Sequence, residues 1–162
     1  MRKIIVLLVG LCLVPALFAQ AGGPLQTATV TLTSAQLQNL KAGPVTLIAA
    51  PGAGSYINVV AVVFQYKAGT APYVVASGGH FSMLIGAGAN GNGPVETSDL
   101  SATGFIDKTQ NHIRVPRISS VGDSQGNLEN QALQVTNDGG AEWTDGNGTV
   151  TITVSYTVVA LQ

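Results

Sequence analysis

Near the C-terminus, Val150, Ile152, Val154, Tyr156 and Val158 alternate with Thr149, Thr151, Thr153, Ser155 and Thr157. In an extended chain that alternation puts every apolar side chain on one face and every hydroxyl on the other. A helix, turning about 100° per residue, would scatter the same apolar residues around its circumference. The segment therefore predicts a half-buried β-strand, and a strand of this length needs partners on a shared core.

The same signature opens the mature chain, where Ala28, Val30 and Leu32 alternate with Thr27, Thr29, Thr31 and Thr33. Ser34 to Leu40 then predicts one or two helical turns. Thr33 or Ser34 is placed to cap it, Leu37 and Leu40 share a face, and Gly43-Pro44 ends it. Val45, Leu47 and Ala49 predict one face of a second strand, closed by the turn Pro51-Gly52-Ala53-Gly54. Further strands are expected at Tyr56–Tyr66, Tyr73–Ala76, Phe81–Ile85, Ser101–Ile106, His112–Val115 and Ala132–Val135. Leu133 and Val135 point inward in the last of these. Glycine, asparagine and aspartate clusters separate the strands, notably Gly86 to Gly93, Asn137 to Gly140 and Asp145 to Gly148. Seven to nine short strands joined by turns predict an all-β chain, a β-sandwich of jelly-roll type with one short helical turn after the first strand.

Residues 1–21 read as a secretory signal peptide. Arg2 and Lys3 precede an apolar run from Ile4 to Leu17, and Ala19-Gln20-Ala21 offers the small-residue cleavage site. The run falls short of the roughly 20 apolar residues that span a bilayer. Residues 22–162 are then a single domain, secreted or extracellular, with the periplasm or cell surface as the alternative compartments, and with no membrane span once the leader is gone. Cys12 is the only cysteine and lies in the leader. The mature domain thus has neither a disulfide framework nor a thiol nucleophile and must stand on its core.

Charged residues make up only 9% of the chain, against about 25% in ordinary globular domains. Without Arg2 and Lys3, five basic residues face eight acidic ones and form no basic stripe, which excludes a nucleic-acid partner. One strand has a second peculiarity. Val60, Val62 and Phe64 lie on one face of Tyr56–Tyr66, while Ile57, Val59, Ala61 and Val63 lie on the other. Both faces therefore need cover, and a sandwich core covers one. Val60, Val62 and Phe64 are the candidate assembly face, and self-association is the expected partnership.

Residues with catalytic potential are sparse. His80 and His112 form no metal-ligand spacing with each other or with a carboxylate, and no Gly-x-Ser-x-Gly elbow is present. Gly86-Ala87-Gly88-Ala89-Asn90-Gly91 lacks the following helix and the Gly-Lys-Ser/Thr ending of a phosphate loop. Asp138, Asp145 and Asn147 gather oxygen ligands on glycine turns but fit no EF-hand spacing. No cofactor, metal or catalytic residue is assigned. For a glycan or cell-surface partner the candidate ligands are Trp143, Asn90 and Asn92. Trp143, between two turn clusters, is either a binding anchor or a plug over the end of the sandwich.

Three stretches resemble a known group of proteins. Thr31-Leu32-Thr33-Ser34-Ala35-Gln36-Leu37 is followed by Gly43-Pro44-Val45-Thr46-Leu47-Ile48-Ala49-Ala50-Pro51-Gly52-Ala53-Gly54. Tyr66 precedes Gly69-Thr70-Ala71-Pro72-Tyr73, and Asn130-Gln131-Ala132-Leu133 comes later. The chain ends on Asp145-Gly146-Asn147-Gly148-Thr149-Val150 and Tyr156-Thr157-Val158-Val159. This pattern resembles small uncharacterised virion-associated β-sandwich proteins of tailed phages, over nearly the whole mature chain. The resemblance implies a compact sandwich serving as a virion component, such as a decoration or fibre-associated protein, and carries over no catalytic residue. The leader departs from it, because virion proteins assembled in the cytoplasm need none, so an extracellular role stands beside the virion one. The expected function is that of a secreted, non-enzymatic structural or assembly subunit. The alternative is a carbohydrate- or receptor-binding module, with a hydrolase last.

Overall fold

The structure is a computed structural model that describes residues 22–75, 79–86, 95–96, 100–117, 119–120 and 128–161. The expected leader and residues 87–93 of the glycine loop, with Asn90 and Asn92 among them, lie outside the described residues. In chain order the elements are β1 (Gln26–Leu32), α1 (Ser34–Gln38), β2 (Val45–Ile48), β3 (Ser55–Lys67), β4 (Phe81–Ile85), β5 (Val95–Glu96), β6 (His112–Arg114), β7 (Ser119–Ser120), β8 (Leu133–Asn137) and β9 (Thr149–Ala160).

Two antiparallel sheets face each other. The larger has the order β1-β9-β3-β6, the smaller β2-β8-β4, and β5 pairs with β7 in a separate ribbon. The first strand lies beside the last and the second beside the eighth, and the first four strands alternate between the two sheets. That wrapping is the jelly roll, and the all-β sandwich expected from the sequence is the fold observed.

β9 is the axis of the large sheet. Val150, Ile152 and Val154 pack inward and are fully covered. Its hydroxyl face is turned away from the core, as the alternation dictates. β1 registers against it from Gln26↔Tyr156 to Leu32↔Val150 without a slip. Thr29 and Thr31 meet Thr153 and Thr151 through hydroxyl contacts of 3.3 and 2.9 Å. Such cross-strand threonine pairs stabilise a sheet by about 0.2–1 kcal/mol each.

On the other side of β9, β3 pairs from Ser55↔Ala160 to Lys67↔Thr149, with one slip between Val59 and Ala61. Val60 is the extra residue of a β-bulge, and its side chain is 51% exposed. A bulge shifts the strand's phase by one residue. Ile57 therefore faces the core before the bulge, with Val59 half-buried against it, and Val62, Phe64 and Tyr66 face it afterwards. Both apolar series of this strand thus reach the same core in succession. The expected assembly face of Val60, Val62 and Phe64 does not form, because Val62 and Phe64 are interior and only Val60 points outward.

Three local readings also change. β2 carries a bulge at Leu47, which buries Leu47 and Ile48 together and leaves Ala49 exposed. The stretch Ser101–Ile106 is a run of turns rather than a strand. Its buried residues Ala102, Phe105 and Ile106 follow the i, i+3, i+4 spacing of a turn, and both Phe105 and Ile106 N–H donate to the Ala102 carbonyl. In the strand expected from Tyr73, described as far as Val75, only Val74 makes a β-bridge, to Thr144.

The ends are plugged locally. Thr33 caps α1 with a reciprocal capping box, Thr33 Oγ1 accepting from the Gln36 N–H and Gln36 Oε1 from the Thr33 N–H. This fixes the turn that buries Leu37 and Leu40. At Gly146, a Cβ would lie 2.1 Å from Tyr73 Cγ. The turn backbone lies flat on the ring, so only glycine fits.

Urea titration checks the bulge and the turn. Val60→Lys is expected to shift stability by no more than about 0.5 kcal/mol, whereas Phe64→Ala costs about 3–5 kcal/mol. Gly146→Ala is expected to cost about 1–3 kcal/mol through overpacking against Tyr73.

Candidate functional site

Trp143 is an interior residue. Its ring is fully buried and lies 4.6 Å from Phe81, centroid to centroid. Phe81 also meets Phe64 and Phe105, and Phe105 meets Tyr66, which meets Tyr73 edge-on. Arg114 lies over the Phe105 ring at 5.6 Å and donates to the Gly104 carbonyl. Trp143 is therefore the plug and not an exposed anchor. It is held by the aromatic ladder between the sheets, out of reach of a ligand in solvent.

Two buried polar atoms in this ladder, Trp143 Nε1 and Tyr66 Oη, have no hydrogen-bond partner among the described residues. Tyr73 Oη is satisfied, donating to the Gly148 carbonyl at 2.7 Å. Burial raises the pKa of Tyr66, with the Asp107 charge adding to the rise and the Gly69 N–H, outside hydrogen-bond geometry, opposing it. Burial also raises Tyr73 strongly, with Tyr66 beside it contributing.

The remaining candidates are spoken for by neighbours. His80 Nδ1 lies 3.4 Å from Asp138 Oδ1 at the surface. Asn147 accepts from the Ala71 N–H and donates to Thr70 Oγ1, while Asp145 accepts from Thr144 Oγ1. Asp138, Asp145 and Asn147 thus each turn to different partners. Among the described residues, no group of three or more histidine or acidic side chains converges on a common point. Glu142, which the sequence did not single out, clamps the α1–β2 loop by accepting from the Lys41 and Ala42 N–H groups at 3.0 and 2.7 Å. His112, opposite Tyr66 on β6, borders a shallow groove of about 420 Å³ with Gln65, Lys67, Asn111, Ile113 and Thr151.

What stands out is the outer face of the large sheet. Thr27, Thr29 and Thr31 on β1 continue into Thr151, Thr153 and Ser155 on β9. The face runs on through Ala61, Val63 and Gln65 on β3 to Ile113 on β6. Lys67, at the end of β3, is its only charged residue among those described. The outer edge of β1 makes no backbone hydrogen bond among the described residues. The sequence signal for this was the absence of any charge from Gln26 to Leu32.

No family model matches the chain, and no curated protein does. Among solved structures it is similar to a chain described as "Cyanophage Pam1 capsid asymmetric unit", with 12% sequence identity and a TM-score of 0.41, over 96% of this chain and 93% of that one. The class defined by the strand order itself is the jelly-roll sandwich, here presenting a neutral, hydroxyl-rich sheet face.

The two tyrosines give a pH dependence with a fixed sign. Their neutral forms are favoured in the folded state, so folded protein keeps protons that unfolded chain releases near pH about 10. The tyrosine contribution to stability is complete below that pH and is expected to fall above it in urea titrations. The double variant Tyr66→Phe, Tyr73→Phe should flatten the alkaline decline. At neutral pH, Tyr66→Phe removes an unpaired hydroxyl and should be neutral or stabilising, while Tyr73→Phe loses a hydrogen bond and costs about 1 kcal/mol.

Proposed function

We propose that residues 22–162 form a secreted, non-catalytic structural subunit that works by assembling with copies of itself, as a virion-like or extracellular coat component. The observation that carries this reading is the large sheet's outer face, which holds threonines, small aliphatics and amides across four strands with a single charge at one end. Isolated soluble domains keep apart through charge, and a face without it meets a like face with no repulsion. The jelly roll supports the reading, since capsid and lectin domains are built on it. Fold alone does not fix function, and the surface chemistry supports the coat reading over the lectin one. A lectin-like site gains by an exposed aromatic platform, and Trp143 lies in the core. The glycan alternative retains Asn90 and Asn92 as its candidate residues.

The mature chain, purified and measured by light scattering coupled to size exclusion over a wide concentration range, is expected to shift from monomer to larger species as concentration rises. A strict monomer at every concentration would overturn the assembly reading. Moderate salt should weaken assembly little, because a neutral contact has little charge to screen.

A further inference from the structure

We infer that β1 is the pairing strand of a two-fold symmetric contact, in which it adds antiparallel to β1 of a second copy and joins the two large sheets into one. This rests on the assembly reading above and names the contact that assembly uses.

The strand edges of this protein are treated unequally. β6, at the far side of the large sheet, is three residues long and includes Arg114. β2, at one side of the small sheet, is four residues long and broken by a bulge. At the other side of that sheet, β4 lies against β5. Short length, charge, bulging and cover are the devices that keep an edge from pairing with another chain. β1 lacks the first three, and among the described residues it touches β2 of the other sheet without pairing to it. It is seven residues long and regular in register, with no charge and no proline. Its outer N–H and C=O groups have no partner among the described residues. The Gly23 N–H, bonded to the Val158 carbonyl, holds the lead-in to the strand against β9.

The side chains say which strand fits that edge. Read outward from Thr29, β1 is nearly its own mirror image, with Ala28 and Val30 on either side and Thr27 and Thr31 beyond. Antiparallel pairing about Thr29 puts Thr29 opposite its own copy, Thr27 opposite the second copy's Thr31, and Ala28 opposite the second copy's Val30. Threonines meet threonines on the outer face, extending the hydroxyl ladder that already joins Thr29 to Thr153 and Thr31 to Thr151. Small apolar residues meet on the inner face. The two-fold axis makes the contact closed and isologous. Leu25, 64% exposed just before the strand, is then set beside the second copy's Thr33. A seven-residue edge is a small interface, so the contact forms reversibly with concentration.

Because the mature chain has no cysteine, single-cysteine variants report the register. Residues directly opposite in an antiparallel pair have Cα atoms about 4.5–5.5 Å apart, within disulfide range. Mature Thr29→Cys is expected to give a covalent dimer on mild oxidation or with a short bifunctional thiol reagent. Thr27→Cys, about four residues from its own copy across the axis, is expected to remain largely monomeric under the same treatment. Thr29→Lys places two like charges opposite each other and should abolish the dimer seen by light scattering, with circular dichroism unchanged because Thr29 is exposed. If the wild-type chain is monomeric throughout, the assembly reading itself fails. If the wild type assembles, but Thr29→Cys crosslinks no better than Thr27→Cys and Thr29→Lys assembles normally, assembly stands and this contact is overturned.

Discussion

The rest of the molecule hangs on the pairing of β3 with β9. From Ser55↔Ala160 to Lys67↔Thr149 the two longest strands are laced together, and every other strand of the large sheet attaches to one of them. Each unpaired backbone group left in the interior would cost about 1–3 kcal/mol, so this ladder sets which faces can be buried at all. Val60 is what reconciles the ladder with the side chains. With one residue bulged out, Ile57 and Val59 upstream and Val62, Phe64 and Tyr66 downstream come to the same side. Without the bulge, one of those two sets would face water.

The core enclosed by that arrangement is aromatic at one end and aliphatic at the other. Phe81 stands where rings from both sheets and from the loops meet, touching Phe64, Phe105 and Trp143. Close packing tolerates Tyr66 Oη and Trp143 Nε1, which are unpaired among the described residues. The ring area buried by each residue outweighs the loss of one hydrogen bond. The same packing dictates the glycines of the Asp145–Gly148 turn, whose backbone rests on the Tyr66 and Tyr73 rings.

Several charged side chains are committed to local partners. Glu142 holds loop amides, His80 faces Asp138, and Arg114 caps an aromatic ring, all away from the outer face of the large sheet. That face and the open edge of β1 are continuous through the threonine ladder. A contact made at the edge therefore extends an existing surface rather than creating a new one.

The local features were legible in the residues themselves. The alternation of β9 and β1, the Thr33 cap with its Gln36 partner, and the inward Leu133 and Val135 are set by neighbours within a few positions, and the structure keeps them. The turn at Ala102–Ile106 was legible in principle, since its apolar spacing is three and four rather than two. The candidate site divides the same way. The neutral threonine face is written in the sequence, but Trp143 could be anchor or plug until the sheets closed over it, and Val62 and Phe64 could face out until Val60 bulged. Whether a residue is interior, and whether a strand is central or at an edge, depends on which distant segment lies opposite. The chain's own periodicity carries the face of each strand, and only the tertiary pairing assigns that face to the core, the solvent or a neighbour.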